Sequence, residues 1–170
     1  MCTAHSIPTA ADTASGPAAQ GGGLYSTQVA TAARDVARAA GFTDHDQVWQ
    51  SRSGPPQVPW LEPDICDHLE DLAAQGVKQV VVYPVGFISD HLEVVWDLDN
   101  EAADLARELG LDYVRADTVG TDPRFVAMIA DLIEEYVWGS GDLDALGCGD
   151  NGTPCRRSCC VPTRRPSPRP

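Results

Sequence analysis

Apolar residues recur along this chain with two periods, and the switches between them mark out its elements. Residues 2–7 read as the end of a strand, followed by a loop rich in small residues that runs to Gly21-Gly22-Gly23. From Leu24 to Ala40 the positions Val29, Ala32, Ala33, Val36, Ala37 and Ala40 keep helical spacing, and Gly41 stands where a helix end needs a residue tolerant of positive φ. Gln47–Ser51 is a short strand leading into the stiff loop Ser53–Trp60. Pro63 suits a first helical turn, Ile65, Leu69, Leu72 and Ala73 form one face, and Gly76 ends that helix. Val77–Pro84 is a continuous apolar strand, a pattern that predicts burial on both faces. Ser89 or Asp90 caps a helix running to Leu109 and closed by Gly110; Asp112–Asp117 is a fourth strand; Asp122-Pro123 opens a last helix to Trp138.

The order β-α-β-α-β-α-β-α, with connections long enough for right-handed crossovers, predicts an α/β fold: a four-stranded parallel sheet flanked by helices, half of a doubly wound architecture. This domain occupies residues 1–138. At Gly139-Ser140-Gly141 the pattern stops, and residues 139–170 read as a linker and tail, rich in Cys and then in Arg and Pro. The last stretch, 161–170, has four prolines and three arginines and is expected to be disordered.

Composition narrows the function. With 170 residues, 43% hydrophobic and 22% charged, the chain is globular, with one core. No apolar run reaches the ~20 residues of a membrane span. The first residues carry neither a basic nor an apolar signal segment, so a cytoplasmic location is expected. Net charge is −13, and unevenly spread: residues 1–150 hold all 25 acids against 7 bases, whereas residues 151–170 hold 5 arginines and no acid. An acidic body repels phosphate backbones and attracts cations, which argues against a nucleic-acid partner and is compatible with a metal-ion substrate. Of six cysteines, Cys148, Cys155, Cys159 and Cys160 fall in the last 23 residues, a clustering that favours metal ligation over disulfides in a reducing compartment.

Candidate chemistry gathers where open α/β sheets bind ligands, beyond the carboxyl ends of their strands. His5-Ser6-Ile7-Pro8 follows the first strand, and Gly86-Phe87-Ile88-Ser89-Asp90-His91-Leu92-Glu93 follows the third. At 100° per residue, Asp90, Glu93, Asp97, Glu101, Asp104 and Glu108 share a sector of roughly 80°. Arg107 points elsewhere, leaving this stripe without a cation at i,i+4, at about 0.2–0.5 kcal/mol per close like-charged pair. It is either a solvated helix face or a cation track, in which Glu93, Asp97 and Glu101 present oxygens at i, i+4 and i+8 and π-type widening aligns them. Gly21-Gly22-Gly23 lacks a Walker lysine or a GxGxxG pattern, and no Gly-x-Ser-x-Gly elbow occurs, so neither a nucleotide site nor a serine nucleophile is read.

His5-Ser6-Ile7-Pro8, Gln50–Pro56, Pro59–Asp64 and Pro84–Glu93 together resemble ferrochelatase in order and spacing, and Asp97–Ala102 and Asp122-Pro123-Arg124-Phe125 continue the likeness, over residues 2–138. The resemblance is to the carboxyl half of a family that inserts Fe²⁺ into a porphyrin held in a cleft between two similar α/β halves. It implies a porphyrin and Fe²⁺ as substrates, with coproporphyrin III or protoporphyrin IX as the macrocycle, and the missing amino-terminal half as partner. It also implies His5 as the catalytic histidine, Glu93 as its partner carboxylate, and Asp97 and Glu101 as an acidic row leading metal from Glu93 to the surface. Trp60 would line the macrocycle cleft or pack. The tail cysteines Cys148, Cys155, Cys159 and Cys160 resemble those that hold a 2Fe–2S cluster in some members; zinc is the alternative for the adjacent pair. Two other readings stay open: a non-catalytic tetrapyrrole- or metal-binding fragment with an iron–sulfur centre, and a chelatase for another metal.

Overall fold

The computed structural model describes residues 1–16 and 21–139. The tail cysteines and the stretch 161–170 lie outside the described residues. Four short strands, β1 (Cys2–His5), β2 (Gln47–Gln50), β3 (Gln79–Val82) and β4 (Asp112–Arg115), alternate with helices. The helices are α1 (Thr9–Thr13), α2 (Leu24–Ala39), α3 (Ile65–Ala74), a rod made of α4 (Leu92–Val94), a π-helix (Val95–Ala102) and α5 (Ala103–Glu108), and finally α6 (Pro123–Trp138).

The parallel sheet forms as two ladders. β1 pairs with β2 with Cys2 opposite Gln47, and β3 pairs with β4 with Gln79 opposite Asp112. A parallel bridge between Cys2 and Tyr83 joins them, so the order across the sheet is β2, β1, β3, β4. The main core lies on one face, where α3 and the rod pack Ile65, Leu69, Val94, Leu98, Ala102 and Ala106 against Val48, Val80 and Val82. On the other face α2 sets Val29 against Ala4 and Trp49.

Several expectations need correction. β3 is buried on one side only: Val80 and Val82 face the core, whereas Val81 is 49% exposed, because α2 covers β1 and β2 but stops short of β3. Pro63 precedes α3 instead of opening it; Asp64 is the N-cap, its carboxylate accepting from the Cys66 amide at 2.8 Å. His91, and neither Ser89 nor Asp90, stands at the start of the rod. The loop expected after β1 contains α1, whose five residues are too few to leave a period. α1 in turn explains the Gly21-Gly22-Gly23 run: Asp12, buried, accepts from the Ser26 amide and hydroxyl at 3.0 and 2.7 Å. It thereby caps α2, whose own N-cap is a glycine. A side chain at Gly22 would collide with the Thr13 carbonyl oxygen, 1.8 Å from an ideal Cβ.

Candidate functional site

β1 ends at His5 because Ser6 turns inward: its amide donates to the Gln50 carbonyl at 2.7 Å and its hydroxyl to the Leu61 carbonyl at 2.8 Å. The imidazole Nδ1 meets the Ser6 carbonyl oxygen, a bond that places the proton on Nδ1 and leaves Nε2 to face outward. The Tyr25 hydroxyl donates to the His5 carbonyl at 2.7 Å, tying the backbone to α2. Across the strand edge, the loop after β3 is drawn in by the Gly86 amide, which donates to the Thr3 carbonyl at 3.2 Å. Only glycine allows that approach, since an ideal Cβ at Gly86 would lie 2.5 Å from the Ala4 Cβ.

The result is contact between His5 Nε2 and Glu93 Oε1 at 3.2 Å, with both side chains 37% and 46% exposed. With Nδ1–H committed to Ser6, Nε2 is the ring atom that can take up a proton, and the Glu93 carboxylate stands within reach to receive it at a solvent-open edge.

Asp97 belongs to a second station. It accepts from Gln50 Nε2 at 3.3 Å and from the Ser51 hydroxyl in a short bond. Gln50 is buried, and its own carbonyl oxygen accepts from the Thr3 hydroxyl at 3.1 Å. Ser51 reaches Asp97 from a backbone with φ 63°, a left-handed conformation that costs a non-glycine residue about 1–3 kcal/mol. Gln50, Ser51, Asp64, Cys66, Asp97 and Glu101 line a cavity of about 140 Å³. Burial raises the Asp64 carboxyl above the usual range, with Asp67, Asp97 and Glu101 adding to the rise. Burial likewise pushes the Cys66 thiol up to about 12, again helped by Asp64 and Glu101. These groups resist further negative charge and favour a cation in the cavity.

The four expected metal residues thus fall into two sets: His5 with Glu93 at the edge, and Asp97 with Glu101 around the cavity. Among the described residues, no three His, Cys, Asp or Glu side chains converge on one ion position. The expected widening of the helix is present, and it spans Val95–Ala102. Asn100 Nδ2 donates to the Val95 carbonyl at 2.9 Å and the Tyr113 hydroxyl to the Leu98 carbonyl at 3.0 Å, satisfying acceptors of the wide turns.

The stripe is not free of cations, contrary to expectation. Arg107 pairs with Asp104 at 2.6 Å, and Arg115 on β4 holds Asp99 at 2.5 and 2.9 Å and Asp90 at 3.0 Å. Trp60 lies beside the histidine loop, bridged antiparallel to Pro8, with its indole N–H buried and without a hydrogen-bond partner among the described residues. No local pattern in the sequence singles out Gln50, Ser51, Asp64, Cys66 or Arg115. The first three stand inside quoted motifs, but their partners lie on other elements.

A family model described as Ferrochelatase matches residues 1–137. A coproporphyrin III ferrochelatase from Nocardia farcinica is 62% identical, over 97% of this chain and 48% of that protein. Coproporphyrin III ferrochelatases from Mycolicibacterium smegmatis and Mycobacterium marinum are 52% and 54% identical, over 92% and 94% of this chain and 47% and 48% of theirs. The chain spans about half the length of the curated relatives it matches. Among solved structures, a putative cobalamin biosynthesis CbiX protein from Marinobacter aquaeolei aligns with TM-score 0.49 and 18% identity, over 82% of this chain and 96% of that one.

Proposed function

Because this chain belongs to the ferrochelatase family, we propose that it is the carboxyl half of an enzyme that inserts Fe²⁺ into coproporphyrin III in heme biosynthesis. An amino-terminal half, of the kind its longer relatives contain, would complete the cleft. The observation that carries this reading is the 3.2 Å contact between His5 and Glu93 at the carboxyl edge of the sheet. Insertion exchanges two pyrrole N–H protons for one Fe²⁺. His5 Nε2 takes each pyrrole proton in turn and hands it to the Glu93 carboxylate 3.2 Å away, which releases it to water at the exposed edge before the next transfer. Asp97 and Glu101 offer hard oxygens to the hydrated ion, and the left-handed turn at Ser51, with buried Gln50 behind it, holds Asp97 toward that task.

The test is Fe²⁺ insertion into coproporphyrin III by the 170-residue chain alone and by the chain with an amino-terminal half supplied. Alone, the chain leaves one face of the macrocycle in water and should be at least 100-fold slower. In the completed protein His5→Ala should abolish insertion while leaving the fold intact. Equal rates with and without the other half, or near-normal turnover by His5→Ala, would overturn the assignment.

The tail is read as the site of a 2Fe–2S cluster on Cys148, Cys155 and Cys159 or Cys160, or on all four, because clustered thiolates suit that group. Iron-reconstituted protein should then absorb in the visible, and Cys148→Ser or Cys155→Ser should remove the band. Colourless protein holding zinc would decide against the cluster. A cytoplasmic location fits this chemistry; no described helix is long and apolar enough to cross a membrane.

A further inference from the structure

We infer that Tyr25 is a positioning residue for His5, its hydroxyl holding the imidazole in the form that keeps Nε2 free to take a pyrrole proton; the inference rests on the reading of His5 as that acceptor. The peptide that links His5 to Ser6 is gripped at both ends. Its N–H donates to the Gln50 carbonyl at 2.7 Å, and its carbonyl accepts from the Tyr25 hydroxyl at 2.7 Å. Alternate residues of a parallel strand bond to the same neighbour, so the Thr3 and His5 carbonyls both face β3. The Thr3 carbonyl accepts from the Gly86 amide at 3.2 Å; beyond Gly86 that chain turns off toward Glu93, and the tyrosine takes the place of a strand. One residue on, the Ser6 carbonyl receives His5 Nδ1. That bond, and with it the tautomer of the ring, depends on how the preceding peptide is set.

The tautomer matters because a free neutral imidazole favours its proton on Nε2, which would leave no lone pair on the nitrogen that faces Glu93. Tyr25 is itself held from the chain that follows the histidine. α1 begins directly after Pro8, and its buried Asp12 accepts from the Ser26 amide and hydroxyl, while the Tyr25 amide donates to the Ser15 hydroxyl at 3.0 Å. The tyrosine ring lies tilted against Trp49, with centroids 5.8 Å apart. Phenylalanine would fill that packing equally well, so what the hydroxyl adds is the bond to His5. The histidine loop, α1 and the first turn of α2 thus close a circuit of hydrogen bonds that begins and ends at His5.

The experiment compares the native chain with Tyr25→Phe, and with Val29→Ala as a control that cuts into the same buried cluster away from the hydroxyl. Nitrogen NMR of the 170-residue chain carrying isotopically labelled histidine reads the neutral tautomer, the His5 signal being identified among the four histidines by its absence in His5→Ala. The native chain should hold the proton on Nδ1, and Tyr25→Phe should move most of it to Nε2. Val29→Ala should melt lower and keep the native tautomer. With an amino-terminal half supplied, Tyr25→Phe should lower kcat for Fe²⁺ insertion into coproporphyrin III about tenfold and change KM by less than about twofold, because no substrate contact is removed. A native tautomer in Tyr25→Phe, an Nε2 proton in the native chain, or an unchanged kcat overturns the proposal. So does an equal tautomer shift in Val29→Ala, which would make it a mark of any loosening of the cluster. The tautomer is read without iron or porphyrin. If the native complex inserts no iron, the proposed function falls, and the NMR comparison alone decides whether Tyr25 positions His5.

Discussion

Asp64 does two things that pull its carboxyl in opposite directions. As the cap of α3 it accepts from the Cys66 amide, which favours the anion; burial, with Asp67, Asp97 and Glu101 nearby, disfavours it and wins. The folded state therefore holds this proton more tightly than the unfolded chain. Stability from this group is full below the ordinary carboxylate range and declines as pH rises through that range to the raised value. Asparagine caps a helix as well as aspartate. Asp64→Asn should thus melt a few degrees higher than the native chain near pH 7, with the difference closing as pH falls below about 4. A constant difference across that range, read by calorimetry, would remove the electrostatic explanation. At this scale the meeting of His5 and Glu93 is legible in the sequence, because their motifs stand at the carboxyl ends of strands that finish on one edge of the sheet. The partners of Asp97 are not, since Gln50 and Ser51 lie 47 and 46 residues away and no local pattern links them.

Among the elements, the rod from α4 to α5 shows both the reach of periodicity and its limit. The stripe of acids at i, i+4 and i+8 marks the helix and the place where it widens. It does not reveal that a strand supplies the counter-charge. Arg115 is 12% exposed and clamps Asp90, just ahead of the rod, and Asp99, within its π-helical part. Hydrogen bonding to Asp99 raises the guanidinium further above its already high range, so it stays charged at any working pH. Lysine would keep the charge but lose the two-pronged grip. Arg115→Lys is expected to cost about 1–2 kcal/mol in urea unfolding, between the limits for exposed and buried pairs, and to speed amide exchange across Val95–Ala102. Unchanged exchange there would mean that packing alone holds the π-helix. β3 was open to misreading for a related reason: a run of valines shows that a strand is apolar, whereas which faces are covered depends on how far α2 extends.

For the molecule as a whole, the succession of elements is readable from hydrophobic period and turn residues, but which apolar faces the domain itself covers is not. The exposed faces of α6 and β3 look like ordinary core in a linear sequence, because an apolar face leaves the same pattern whether or not this domain covers it. The cavity under Asp97 carries one more consequence, for chemical labelling. At about 12, the Cys66 thiol has a thiolate fraction of about 10⁻⁵ at pH 7, and burial raises the Cys2 thiol as well. Both should stay silent toward iodoacetamide while the domain is folded. Rapid alkylation then counts only the other four cysteines of the six. Mass spectrometry after a brief pulse becomes a stoichiometric test of the proposed cluster: four adducts if the tail holds none, and one or none if it is in place.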